Sequence, residues 1–346
     1  MMRSVPLVEP RKLELVEAPT PEGPGPGEVL VKLAAVGLCG SDLHWWADGH
    51  IHGNPARYPQ ILGHEPVGTI VEVGKGVHGL KAGDRASIEP SLTCGHCTYC
   101  IQGRHNLCST SRFMGGPDAQ GFFRDYAVVP AHNADPVPDA LTFNEATLME
   151  PVAVWVHIYE LVPVRIQQTV AVLGCGPIGL LGIAMARAAG AQTIIACDRV
   201  PHRLALARQM GADIAVDIRT GGFRDAVMAA TAGQGADLVY DAAGASETVQ
   251  LGIRCTRPGG TFTLIGIPSE LNFEVDLHTA MAREIDLQMI KRSNHKGRQA
   301  GAMLASGQIP TSLITHALPL EKAQEAFEML HDYAGGAGKL ILDLTL

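Results

Sequence analysis

The sequence has no surplus of positive charge: its 346 residues carry 27 Lys and Arg against 35 Asp and Glu, a formal net charge of -8. Phosphate backbones are bound by clustered cationic side chains, so the balance argues against a nucleic-acid partner. The N-terminal "MMRSVPLVEPRKLELVEAP" has neither the apolar core nor the cleavage pattern of a secretory leader. The uncharged stretch from Val170 to Ala186 is too short for a confident membrane span, and Gly174, Gly176, Pro177 and Gly179 interrupt it. Low-complexity tracts and fixed-period repeats are also missing. These absences leave a soluble, cytoplasmic protein that handles small molecules and has no membrane partner. With 46% hydrophobic residues it can bury a sizeable interior, and its length favours two domains over one core.

The texture changes along the chain. The first 150 residues contain β-rich runs such as "GEVLVKLAAVG", "GTIVEVG", "GDRASIE" and "FFRDYAVVP" between Gly and Pro turns, an all-β pattern with long loops. From Gln168 onward "TVAVLG", "TIIACD", "DIAVD", "ADLVYD", "TFTLIGI" and "IDLQMI" alternate with helical stretches, which predicts a doubly wound parallel sheet. The tail adds helical "GRQAGAMLASG" and "LEKAQEAFEML", then the apolar strand "KLILDL". The fold class expected is α/β plus β, with residues 1–151 and 294–346 in one domain and 152–293 in the other.

Gly174, Gly176 and Gly179 stand in G-x-G-x-x-G spacing directly after an apolar strand and at the start of an Ala-rich helix, with Pro177 and Ile178 between them. In that context the first glycine makes a tight turn, the second lets a pyrophosphate approach the backbone, and the third lets the helix pack on the sheet. The helix N-terminus offers free N–H groups to the phosphates. Asp198 ends the second strand, where a carboxylate accepts hydrogen bonds from a ribose and disfavours an extra phosphate, so NAD is expected over NADP. Arg199 and Arg203 lie just beyond and keep NADP open as the less favoured cofactor.

The chain has eight cysteines. In a cytoplasmic protein they point to metal or catalysis before disulfides. Cys94, Cys97, Cys100 and Cys108 form a C-x2-C-x2-C-x7-C run whose four sulfurs suit a closed, structural zinc site in a lobe at about residues 90–110. His96 and His105 lie within the lobe as substitute ligands. Cys39, in "GLCGSDLHWW", is left over. A catalytic zinc needs about three protein ligands and a free position, and His64, Glu65 and Glu150 are the candidates to join Cys39. Singly, each has a plainer role: a buried thiol, a hydrogen-bonded core histidine, an acid at a helix start.

Gly63, His64, Glu65, Gly68, Gly74 and Val77 fit the pattern G-H-E-x2-G-x5-G-x2-V, and with the four-cysteine lobe and the Gly174 fingerprint in order the chain resembles the zinc-dependent medium-chain dehydrogenases over nearly its whole length. The "CGSDLHWW" run and Glu150 in "MEP" resemble the sorbitol (L-iditol) dehydrogenase branch; Trp45 replaces a commoner Tyr, and Lys291 and Arg292 stand where that branch has Arg followed by an aromatic residue. The resemblance implies a GroES-like catalytic domain, a Rossmann domain, an active site in the cleft between them, two zinc ions per chain, and a homodimer or homotetramer. It also implies Cys39, His64 and either Glu65 or Glu150 around the catalytic zinc, the other glutamate acting through a water. Such a zinc acidifies an alcohol, whose hydride passes to NAD, while the proton leaves through Ser41 and the nicotinamide ribose to His44. The expected reaction oxidises a secondary alcohol, foremost a polyol such as sorbitol, xylitol or L-iditol, to a ketose. Threonine, a simple secondary alcohol or an aldose are alternative substrates, and a zinc-stabilised binding protein without turnover is the alternative of a different class.

Overall fold

The computed structural model describes residues 1–51, 53–268, 270–272 and 274–346. The chain divides into two compact units, one of Met1–Val154, Ser293–Gly307 and Ile314–Leu346, the other of Trp155–Arg292 and Gln308–Leu313.

The first unit is built on a seven-stranded sheet. Its order runs Ala134–Pro136, Arg85–Ile88, Glu65–Val73, Glu28–Gly37, Lys339–Asp343, Ile314–Pro319, with Tyr126–Pro130 also pairing Glu28–Gly37. The long strand Glu28–Gly37 is the organiser, because its residues 28–32 pair Tyr126–Pro130 and its end pairs the C-terminal strand, Ile341 opposite Gly37. Only Lys32 is exposed along it. Val29, Val31, Leu33 and Val36 join Ile70, Ile88, Phe122, Phe123, Phe327 and Leu342 in one core. Each such side chain contributes about 1.5–3 kcal/mol on full burial.

The stretch "GSDLHWWAD", which the sequence presents as part of a loop-rich region, is a helix, Gly40–Asp48. Its ends explain it. The Asp42 carboxylate accepts the Cys39 backbone N–H at 3.1 Å, and Gly49 closes the last turn in the left-handed region at φ 72°. Trp45 and Trp46 are buried in the core, so they anchor the helix rather than line open space.

The second unit carries six strands in the order Ile214–Asp217, Thr193–Asp198, Thr169–Leu173, Ala236–Asp241, Thr256–Leu264, Asp286–Met289, and every pairing is parallel. Successive strands are added outward on one side of Thr169–Leu173 and then on the other, which makes this a doubly wound sheet with its switch point at that strand's C-terminal end. Helix Pro177–Ala188 packs closely: a Cβ on Gly182 would lie 2.2 Å from the Trp155 ring, whose Nε1 donates to Ile178 O at 2.9 Å. Among the described residues no helix is long and apolar enough to cross a membrane.

Gly68 marks where the first sheet has least tolerance. A Cβ there would stand 2.2 Å from Lys32 O, beside the register shift between Leu33 and Ala35. Gly68→Ala is expected to cost about 1–3 kcal/mol of stability through overpacking, read as a lower denaturation midpoint; an unchanged midpoint contradicts this packing.

Candidate active site and metal centres

Cys39, His64 and Glu65 each place a ligand atom within 4.8 Å of the other two. Cys39 lies extended just before helix Gly40–Asp48. His64 follows Gly63, whose left-handed φ of 86° turns the chain, and Glu65 opens its strand opposite Gly37. Register therefore fixes Glu65 against the strand that leads into Cys39.

Asp42 ties these pieces together. It is fully buried and accepts N–H groups from Cys39 and Gly63, each at 3.1 Å, while its Oδ1 lies 3.2 Å from His64 Nδ1. With Nδ1 turned to a carboxylate, Nε2 is the nitrogen left for a metal, an arrangement that orients the ring and raises its basicity. Without metal, burial pulls the imidazolium pKa down, yet Asp42 and Cys39 outweigh it and hold the pKa well above the ordinary value. A metal ion taking Nε2 displaces that proton. A thiol, an oriented imidazole and a carboxylate form a donor set that suits zinc.

Glu65 is also buried, and its Oε2 accepts from Lys339 Nζ, which donates as well to Leu38 O at 2.8 Å. Glu150, second in helix Met149–Leu161, stands outside the three-residue cluster. Burial pushes its carboxyl up to about 8, with His64 and Lys339 opposing and Glu65 and Glu89 reinforcing the rise. Ser41 Oγ lies 3.4 Å from His64 Nε2. His44, half-exposed on the same helix, places Nδ1 3.4 Å from Asp48 Oδ2. The Phe113 ring sits 5.1 Å from that of His64 and gives the group an apolar wall.

Cys94, Cys97, Cys100 and Cys108 form a second cluster with sulfurs within 4.8 Å of one another, and none is in a disulfide. Backbone N–H groups point at the sulfurs: Cys97 N lies 3.3 Å from Cys94 Sγ, and Cys94 N 3.4 Å from Cys108 Sγ. N–H groups of Cys100 and Ser109 bring the Cys97 thiol down to about 5. His96 is exposed and turns Nδ1 to Cys94 O at 2.8 Å, and His105 stacks edgewise on His295. Neither belongs to the sulfur cluster.

In the second unit, Gly174 has φ 90°, and a Cβ on Gly179 would stand 1.8 Å from Gly174 O, so turn and helix meet only because both are glycine. Gly176 caps helix Pro177–Ala188, with Pro177 at its first position and Ile178 next. Asp198 is buried, its Oδ2 accepting Cys175 N at 2.7 Å and its Oδ1 accepting Val200 N at 2.8 Å. The acid thus braces the glycine-rich turn. Arg203 Nη1 stands 3.9 Å from where a Gly176 Cβ would be, close to the phosphate end of such a turn. The bare Gly176 backbone and free helix N–H groups fit a dinucleotide pyrophosphate.

Sequence reasoning missed three contributors. Asp42 stands in the "CGSDLHWW" run with nothing local to mark it as the residue that faces His64 Nδ1. Lys339 looked like the start of an apolar strand, and Phe113 lies in no motif; only the folded contacts reveal them.

The family model for the alcohol dehydrogenase GroES-like domain matches residues 25–139, and that for zinc-binding dehydrogenase matches 177–306. The chain is 35% identical over 328 residues to sorbitol dehydrogenase of Bacillus subtilis (strain 168), covering 94% of this chain and 93% of that protein. Among solved structures it is similar to a zinc-binding dehydrogenase of Sinorhizobium meliloti 1021 bound to NADP, with 31% identity, TM-score 0.91 and 99% of each chain covered. A short chain alcohol dehydrogenase of Escherichia coli CFT073 complexed with NADH shows 30% identity and TM-score 0.91, again with 99% of each chain covered.

The Glu150 shift gives metal-free stability a defined pH dependence. The folded chain keeps a proton that the unfolded chain releases near 4.5, so this group makes stability fall as pH rises from 4.5 towards 8. Glu150→Gln is expected to flatten that fall in denaturant titrations of metal-free protein across the same interval; a steeper fall contradicts the burial of this carboxyl.

Proposed function

The chain belongs to the zinc-dependent medium-chain dehydrogenases, in their sorbitol dehydrogenase-like branch, and from that premise we propose that it oxidises a secondary hydroxyl of a polyol to a ketose with NAD. The observation that carries this reading is the donor set: beside one thiol and one imidazole stands a buried carboxylate, Glu65, with Glu150 close enough to feel its charge. Carboxylate in place of a second thiolate makes a harder site, matched to hydroxyl oxygens.

In this reading Cys39, His64 and Glu65 hold a catalytic zinc, and Cys94, Cys97, Cys100 and Cys108 hold a structural one. Zinc supplies Lewis-acid polarisation of an alcohol oxygen, and the nicotinamide supplies a hydride acceptor. The protein's own work is orientation and proton handling. Asp42 fixes the His64 ring, and Phe113 keeps one side of it apolar. Ser41, beside His64 Nε2, relays the substrate proton by accepting it as its own hydroxyl proton moves on towards His44, which releases a proton to solvent next to Asp48. Glu150, held protonated near neutral pH in the metal-free protein, stands near the metal ligands as a group able to give up its proton when a metal ion binds.

NAD is favoured over NADP because the buried Asp198 charge sits at the end of the second strand, where the ribose of a dinucleotide lies. A homodimer or homotetramer is supported by the sheet's edge strand Asp286–Met289, where Leu287 and Met289 are exposed.

NADH formation over a panel of polyols, sugars and simple alcohols tests the substrate, with faster turnover of a polyol expected; uniform failure of polyols beside active simple alcohols contradicts it. Cys39→Ser is expected to lower zinc content from about two ions per chain to about one and abolish turnover. Full activity without that zinc defeats the mechanism. His44→Ala is expected to keep zinc but slow turnover by about tenfold or more, most at low pH; an unaltered pH profile removes His44 from the proton route.

A further inference from the structure

Lys339 is a buried charge that the chemistry above does not use. It opens the strand Lys339–Asp343, is 1% exposed, and donates from Nζ to Leu38 O at 2.8 Å and to Glu65 Oε2. Gly37 makes the meeting possible, since a Cβ there would stand 2.1 Å from Glu65 Oε2 and 3.0 Å from Lys339 Cε. Burying an ammonium and a carboxylate together is costly, and apolar side chains of similar volume often serve a fold as well. The pair therefore calls for a reason beyond filling the core. Glu65 supplies one: it stands in the ligand cluster with Cys39 and His64, so an ammonium and a metal ion draw on the same carboxylate.

We propose that Lys339 is a positioning residue for the metal centre, pairing with the Glu65 carboxylate in competition with zinc and compensating that buried charge when zinc is absent. This rests on the reading of Cys39, His64 and Glu65 as zinc ligands. Repulsion between like charges then makes Lys339 weaken zinc binding, because a dication has to settle beside an ammonium. The same ammonium keeps the metal-free protein folded, since without it the Glu65 charge is buried with no cation opposite.

The test strips the full chain of zinc and titrates zinc back against a chromogenic chelator, with the Cys39→Ser chain identifying which zinc is read. Lys339→Met is expected to bind that zinc at least about tenfold more tightly than the unsubstituted chain, and to lower the Tm of the metal-free protein more than that of the zinc-loaded protein. Zinc affinity that is unchanged or weaker overturns the proposal. Should Lys339→Met fail to fold without zinc, the double variant Lys339→Met, Glu65→Gln decides: a folded metal-free chain supports charge compensation, and an unfolded one assigns Lys339 to packing and overturns it. An unsubstituted chain that takes up no zinc through Cys39 defeats the reading of the site itself. Normal uptake with an unaltered Lys339→Met affinity defeats only the role given to Lys339.

Discussion

One carboxylate without solvent access, Asp42, holds Cys39 and His64 in register. Removing its charge from water costs several kcal/mol, and the two backbone N–H groups it accepts, worth about 1.5–3 kcal/mol each to a charged acceptor, offset much of that. The same oxygens that settle Asp42 belong to the contacts that start the helix after Cys39, hold the turn at Gly63 and face His64 Nδ1. Loss of this one group would loosen a thiol and an imidazole together, although the two ligands are 25 positions apart in the chain.

Around Asp42 the charges are arranged as a problem that a dication solves. Cys39, His64 and Glu65 converge, Glu150 and Glu89 add negative potential, and Lys339 is the buried cation paired there. Part of the tension shows in the metal-free protein as a protonated Glu150 and a His64 that holds its proton tightly. Cys39, His64 and Glu65, if they hold a zinc ion as proposed, would have both relieved, with the remaining charge set by a carboxylate shared with an ammonium.

How far the sequence speaks depends on the range of the interaction. The doubly wound sheet was legible because its central strands, buried on both faces, read as continuous apolar runs, and all six quoted runs overlap strands of that sheet. The four-cysteine lobe was legible for a similar reason: its ligands lie within one local loop, so spacing alone brings the sulfurs together. Helix Gly40–Asp48 was not, because "GSDLHWWAD" has little helical periodicity and is fixed by Asp42 at one end and Gly49 at the other. Which of Glu65 and Glu150 stands beside Cys39 and His64 was not legible in the sequence since it depends on strand register, which sets Glu65 opposite Gly37. Lys339 was invisible for the same cause: its partner is 274 positions away, and nothing local distinguishes a buried lysine from a solvated one.

The central claim is that two kinds of zinc site coexist in this chain, one closed by four sulfurs and one holding a single sulfur with nitrogen and oxygen. X-ray absorption at the zinc edge of the fully loaded protein reads this directly, because sulfur and lighter ligands scatter differently and sit at different distances. Two ions per chain with an average near two to three sulfurs per zinc, five sulfurs shared between two sites, is the predicted result. One ion per chain with sulfur ligands alone would contradict it.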